Sequence, residues 1–386
     1  MWAAREDRAR DMKVTFYCGP SLEPWSPRSA ETGIGGSQEA VIEMAAQLLR
    51  LGHEIAVYND CGEMEGDHRG VRYYDYRRFP DSRPSDILVV WRWPSLLGAL
   101  PGWARPGQTC LWLHDHVPAA TLAAAAPLCR KIIVMSRYHR GCYPQVGEER
   151  FYYSRNGITP EHFLQPVARD PWKVVYGSEY HRGLWPLLRA WGRVQAEAPR
   201  ARLTVFYGWQ TSRRYAFLRA KGWRQSLRNN PATFLVFQAL TEHRLRRCRA
   251  QHLGRIGHAA VAREFLSAGV WAYPAWSPET SCITAMKAQA GGALPVVIPS
   301  GALGETVQFG YKSSRSANDH PGNRERRHIY EEWTEALIDW LRHPDKQVAV
   351  RGEMMAASLQ SFAWQGVAEE WAREFTQWMG PGHSAR

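Results

Sequence analysis

The sequence predicts an α/β protein made of two consecutive domains, each a doubly wound parallel sheet covered by helices. Three observations predict it. Short apolar runs of strand length alternate with amphipathic helical stretches, the alternation stops and restarts near residue 158, and 386 residues with 45% hydrophobic content supply two cores more naturally than one.

The first run, KVTFYC at Lys13–Cys18, is β-branched and aromatic and ends at Gly19-Pro20, which reads as a buried strand and a turn. A loop leads to Gly36. Ser37 stands where a helix N-cap belongs, and Val41, Met44, Ala45, Leu48 and Leu49 then recur at helical spacing until Gly52. His53–Tyr58 is the next strand, completing a βαβ opening. Strands follow at 86–91, 109–114 and 131–136, each ending in polar residues. Ligands of doubly wound sheets bind outside the carboxyl ends of strands, so His114, Asp115 and Ser136 fall where chemistry belongs. The first domain closes near Asn156-Gly157.

The second series starts with a strand at 173–178, a helix at about 183–197 and a strand at 203–208. After a basic segment come a strand or turn at 254–257, a helix at about 259–268, a strand at 270–274, a helix at about 280–291 and a strand at 294–298. The polar stretch 312–326 lacks periodicity and reads as a loop. Two helices finish the chain, the last carrying Phe362, Trp364, Trp371, Phe375 and Trp378.

Composition removes several classes. Eighteen Trp, 16 Tyr and 12 Phe supply far more buriable area than a disordered chain carries. Seven scattered cysteines without a Cys-x-x-Cys pair read as reduced thiols. The charged start lacks the apolar stretch of a secretory signal, and no window reaches the roughly 18 apolar residues that span a bilayer, so the expectation is a cytoplasmic protein. Net charge is +12, and its distribution is uneven. Between Trp209 and Arg255 eleven basic residues face the single acid Glu242, so nearly all of the excess lies in one segment. Such a field attracts polyanions in a salt-sensitive way, although a basic run is also compatible with a plain solvated face.

The loop TGIGGSQ at Thr32–Gln38 leads into the first helix, where glycines let backbone N–H groups approach an anion. It matches neither Gly-x-Gly-x-x-Gly nor a P-loop, and a simple turn is its alternative. With Ser154-Arg-Asn156-Gly157-Ile158, this loop resembles family 4 retaining glycosyltransferases of the GT-B fold. The second half resembles that family's donor-binding half more closely. YGSEYHRGL at 176–184, LTVFYG at 203–208 and PETSCITAMKAQA at 278–290 follow in the family's order and spacing. Each motif alone is common; five in this order, across about residues 12–380, are specific.

The resemblance implies two Rossmann-like domains facing an interdomain cleft: an acceptor-side domain over 1–158 and a nucleotide-sugar-binding domain over 159–357 that contains the basic segment 209–255. A C-terminal helix within 358–386 would cross back to the first domain. It implies transfer of a sugar from a nucleotide-sugar donor, UDP-linked by preference, with retention at the anomeric carbon. Arg182 would neutralise the diphosphate and Glu279, the first glutamate of the Glu-x7-Glu motif, would contact the sugar, as would His114 near the anomeric centre. Gly35, Gly36, Ser178, Arg255, Thr280, Ser281, Cys282 and Lys287 complete the implied donor site, with amides at the start of a helix beginning at residue 280 turned towards the ligand. Two positions depart from the family. Lys287 stands where a glutamate usually holds the ribose hydroxyls, and it offers donors but no acceptor; Ser178 stands where many members have a further basic residue.

His114-x-His116 could suggest a metal, but no third and fourth ligand stands at a recognisable spacing and no Asp-x-Asp occurs, so no metal is expected. No Ser-His-Asp order or carboxylate pair argues for a hydrolase. For the acceptor, Arg213, Arg214, Arg244, Arg246 and Arg247, interleaved with aromatics, suit a phosphate backbone and exposed bases. The favoured expectation is a DNA glycosyltransferase acting on a hydroxymethylated pyrimidine, of the kind some bacteriophages encode. A glycosyltransferase of cell-surface glycan or glycolipid synthesis is the alternative within the class; a catalytically inactive sugar- or nucleotide-binding module is the alternative outside it.

Overall fold

The computed structural model describes residues 11–209, 231–316 and 323–379. The chain forms two compact units, one made of Met1–Ala30, Ile34–Thr159 and Ser361–Arg386, the other of Glu31–Gly33 and Pro160–Gln360.

The first unit contains β1 (Lys13–Gly19), α1 (Gly36–Arg50), β2 (Glu54–Asn59), β3 (Gly66–His68), β4 (Val71–Asp75), β5 (Ile87–Trp91), β6 (Thr109–Trp112), α2 (Ala119–Ala125), β7 (Lys131–Val134), α3 (Arg137–Gly141) and β8 (Phe151–Tyr153). Its sheet runs β3-β4-β2-β1-β5-β6-β7-β8 and is parallel except for the β3–β4 pair. Alternate residues of one strand serve opposite faces: Ile87, Val89 and Trp91 of β5 join the core under α1, while Leu88 and Val90 join the core under α2. The β3–β4 hairpin was not expected from the sequence. Its two-residue turn, Arg69-Gly70, has φ of 57° and 89°, the left-handed pair that matches the twist of a tight hairpin. At α1 the structure corrects the expected cap. Gly35 enters in extended conformation as the N-cap, so the helix starts two residues early and the Ser37 hydroxyl instead lies 3.1 Å from Gln38 Oε1.

The second unit contains β9 (Asp170–Glu179), α4 (Leu184–Glu197), β10 (Arg202–Gly208), α5 (Pro231–Arg247), β11 (Gln251–Gly254), α6 (His258–Ser267), β12 (Ala268–Tyr273), α7 (Ile283–Ala290), β13 (Leu294–Val297), β14 (Tyr311–Lys312), α8 (Asn323–Arg342) and α9 (Pro344–Ser361). The sheet order is β11-β10-β9-β12-β13-β14, and its pairings are parallel. The sheet therefore grows outwards from β9 to one side, then from β12 to the other, placing a topological switch between these neighbours.

Two endings differ from the expectation. The polar stretch 312–326 contains the end of β14 and the start of α8: residues 324–328 are exposed, and the apolar stripe Ile329, Trp333, Leu337 and Leu341 begins only a turn later. A helix whose first turns face water carries no early periodicity. Among the described residues α8 is the first of three closing helices rather than two, because Pro344 opens a new one after His343. The last, α10 (Trp364–Met379), belongs to the first unit. It buries Trp364, Val367, Ala368, Trp371, Ala372 and Phe375 in the α1 core, and the Trp371 indole N–H donates to Ser154 Oγ at 2.7 Å. Thus the C-terminal helix does return to the N-terminal domain.

Candidate active site

The carboxyl ends of β9 and β12 border the switch point of the second sheet. β9 passes through Glu179 into a single turn, Tyr180–Arg182, that leads to α4; β12 ends at Tyr273 and continues through Pro274 into an extended loop. The two connections are tied together. Trp276 N donates to the Arg182 carbonyl at 3.1 Å, and its indole N–H donates to the His181 carbonyl. Gly183 is required at the closest approach, since a Cβ there would sit 2.9 Å from the Pro274 carbonyl oxygen.

These loops bring Arg182 and Glu279 into contact. Arg182 Nη1 donates to Glu279 Oε2 at 2.7 Å, and the Tyr273 hydroxyl donates to Glu279 Oε1 at 2.5 Å. Ser178 Oγ lies 3.3 Å from the same Tyr273 oxygen. The glutamate side chain is 8% exposed and the arginine 35%, so the pair has a buried end and an open end. Main-chain bonds fix Glu279 as well: its N–H donates to the Ser300 carbonyl at 3.1 Å and its carbonyl accepts from Ala302 N at 2.8 Å. The Glu279 charge, outweighing the cost of burial, lifts the Arg182 pKa well above its ordinary value, and the guanidinium stays charged. Burial, reinforced by Glu279, raises the Tyr273 phenol well above its usual range, and it remains a neutral donor.

The helix expected to begin at 280 begins at Ile283. The bridge between Glu279 and Gly301 keeps the chain out of the helix, Thr280 lies in a bend, and Cys282, in extended conformation, becomes the N-cap whose carbonyl accepts from Ala285 at 3.0 Å. Thr280 and Ser281 are half-buried. Cys282 is buried and its thiol is pushed up by desolvation. Lys287 lies within α7 and is 7% exposed. Arg255 follows β11, two strand positions away from β9.

In the first unit His114 follows β6 and is buried against Trp112 and Trp91, with ring centroids 4.5 Å and 6.0 Å away. Burial is the main cause that brings its pKa down to about 3, against an opposing pull from Asp115. His139 is brought down to about 4 for the same reason, and its Nε2 lies 3.3 Å from the Asp115 carbonyl oxygen. Asp115 pairs with Arg92, whose φ of 72° is rare outside glycine. His116 packs edge-on to Tyr138 and His139. Gly35 and Gly36 stand at the start of α1. Among the described residues no group of three or more His, Cys, Asp or Glu side chains is arranged to hold a metal ion.

The basic segment is only partly described: Arg213 and Arg214 lie outside the described residues. On α5 the Arg244 guanidinium stacks over Trp185 at 4.7 Å, whereas Arg246 and Arg247 are exposed. Leu235, Val236 and Leu240 of the same helix are also exposed, at 45%, 59% and 50%. Among the described residues no helix is long and apolar enough to cross a membrane.

Tyr273 escaped the sequence reading. Its signal was its place at the polar end of a buried strand, just before Pro274 and six residues before Glu279.

No protein-family model matches the sequence, and no curated protein matches it. Solved structures do resemble it. Sucrose-phosphate synthase from Thermosynechococcus elongatus aligns at 14% identity over 95% of this chain and 98% of its own, with a TM-score of 0.66. The UDP-forming α,α-trehalose-phosphate synthase from Burkholderia vietnamiensis aligns at 11% identity over 97% and 99%, with a TM-score of 0.68. Anabaena HepE, solved in complex with UDP and glucose, aligns at 15% identity over 95% and 100%, with a TM-score of 0.61. With two parallel-sheet units and the returning C-terminal helix, the chain has the fold of GT-B glycosyltransferases.

Proposed function

We propose that the protein is a retaining glycosyltransferase that uses a nucleotide-sugar donor, with UDP-sugars the first choice because HepE is also solved in complex with UDP-glucose. The observation that carries this reading is the Arg182–Glu279 pair at the switch point of the second sheet. Its bond to Glu279 uses one of the guanidinium's five N–H donors, which leaves further donors for a diphosphate. Glu279 then serves the hydroxyls of the sugar. In the transfer the bond from the anomeric carbon to the phosphate oxygen breaks, and a bond to the acceptor oxygen forms on the same face. The acceptor proton passes to the leaving phosphate oxygen, and the nucleoside diphosphate departs. Chain residues supply charge stabilisation and orientation, so no protein nucleophile is needed.

For the acceptor we favour a polyanion, hydroxymethylpyrimidine in DNA, on the strength of eleven basic residues against one acid in the segment 209–255. A second reading, an anionic glycolipid or surface glycan, is favoured by Leu235, Val236 and Leu240, which expose apolar surface on the helix that carries Arg246 and Arg247. The deciding experiment incubates the protein with a panel of nucleotide sugars and either hydroxymethylated duplex DNA or anionic liposomes bearing glycolipid, and reads added mass by mass spectrometry. A hexose increment on DNA, weakened by raised salt and by Arg246→Glu with Arg247→Glu, supports the first acceptor; an increment on lipid supports the second. Binding of nucleotide sugar without hydrolysis or transfer would instead identify a binding module and overturn the enzymatic reading.

A further inference from the structure

The two oxygens of Glu279 are held by chemically different partners. Oε2 faces Arg182, a charged side chain that is 35% exposed and has donors to spare, whereas Oε1 faces the hydroxyl of Tyr273, which is fully buried. A diphosphate competes with Oε2 for the guanidinium, because both are anionic acceptors for the same fork of N–H groups. Nothing of that kind competes for Oε1. The Tyr273 ring is stacked on Trp271 at 5.1 Å and tilted against Tyr176 at 5.8 Å, so it cannot swing away without opening the core.

We propose that Tyr273 is a positioning residue that retains Oε1 of Glu279 while donor binding draws Arg182 away from Oε2, leaving that oxygen to accept from a hydroxyl of the donor sugar. The inference rests on the donor-site reading above and extends it by dividing the carboxylate into a fixed oxygen and an exchangeable one. Ser178 Oγ lies 3.3 Å from the phenol oxygen and can donate to it. A serine beside Tyr273 leaves the phenol's proton committed to Glu279, where a cation would compete with Arg182 for that carboxylate.

The test compares a ligand that has the sugar with one that lacks it. Calorimetric titration of the full chain with UDP and with UDP-glucose is expected to show binding of both to the unaltered protein. Tyr273→Phe, which keeps the ring and removes only the hydroxyl, is expected to leave UDP affinity within twofold and to weaken UDP-glucose about tenfold. Glu279→Gln is expected to show the same selective loss, and adding Tyr273→Phe to it should cost nothing more. Equal loss of both ligands in Tyr273→Phe, or a further loss on top of Glu279→Gln, means that the tyrosine acts through packing and overturns the inference alone. Should Tyr273→Phe not fold, Glu279→Gln still decides, because unchanged UDP-glucose affinity there removes the exchangeable oxygen. Failure of the unaltered protein to bind either ligand overturns the UDP-donor reading itself, and the inference with it.

Discussion

At the carboxyl end of β12 a carboxylate receives a guanidinium on one oxygen and a phenol on the other, and the arginine remains charged because its partner is charged. At the carboxyl end of β6, in the other unit, an imidazole is packed between two indoles and loses its charge to burial. Both rims belong to doubly wound parallel sheets; the rule about strand ends singled out that of the first unit, and motifs that resemble a glycosyltransferase family pointed to that of the second. The difference lies in what surrounds the titratable group. The second unit solves burial by pairing opposite charges and leaving one end open to solvent; the first solves it by neutralisation. A rim that keeps charge can bind an anion, while a rim that discards charge can only offer a neutral hydrogen-bond partner and shape.

The largest effect should come from removing the carboxylate from the charged rim. Glu279→Ala strips Arg182 and Tyr273 of their shared acceptor, and glycosyl transfer is expected to fall by at least about a hundredfold, the scale seen when a group stabilising developing charge is lost. The fold should survive, since Arg182 is 35% exposed and can hydrate its freed donors. Turnover of a UDP-sugar, measured beside the thermal midpoint, checks both halves. Unchanged turnover in a folded variant would place the chemistry elsewhere.

Less dramatic, and opposite in kind, is the behaviour of the neutral rim. His114 titrates near 3 in the folded chain against an ordinary value of 6.5, and His139 titrates near 4. Between those limits the unfolded chain binds protons that the folded chain refuses, so stability is complete above pH 6.5 and is lost as pH falls towards 3. Denaturant midpoints measured from pH 7.5 to pH 4 should decline by an amount on the order of a few kcal/mol in stability. His114→Phe should flatten part of that slope, with His139 retaining the rest. A slope identical to that of the parent would mean that His114 charges freely within its indole box.

The contrast between the rims was only half legible in the sequence. Strand runs such as 270–274 and 294–298 carry their own signal, because a strand buried on both faces is continuously apolar. Arg182 and Glu279 were each reached through a family resemblance of a short motif, yet their pairing was not, since they lie 97 positions apart and only the adjacency of β9 and β12 brings them together. Tyr273 was hidden for a related reason: an aromatic at the end of an apolar strand reads as core, and its hydroxyl gains meaning only from a neighbour six residues on in an extended loop. The helix starts at Ile283 and not at 280 because the bridge from Glu279 to Gly301, a contact across 22 positions of sequence, holds the preceding chain out of the helix. In α8 the exposed polar first turn concealed the start of a helix whose body its later Trp333 and Leu337 make plain.

The smallest effect sharpens the comparison by testing the same chemistry at a wetter place. In the first unit Arg155 grips Glu370 of α10 with two bonds, Nη1 to Oε2 at 2.6 Å and Nη2 to Oε1 at 2.9 Å, a better fork than the single contact between Arg182 and Glu279. Yet its side chains are 33% and 35% exposed, so water screens the charges and competes for each donor. Glu370→Gln should therefore cost less than about 1 kcal/mol of stability, and that cost should shrink further in salt. The attachment of α10 rests instead on Trp364, Trp371 and Phe375, each fully buried. A urea titration in low and high salt checks this. A loss of several kcal/mol would mean that the helix is held by its ion pair, and that geometry rather than exposure separates the two arginine–glutamate pairs.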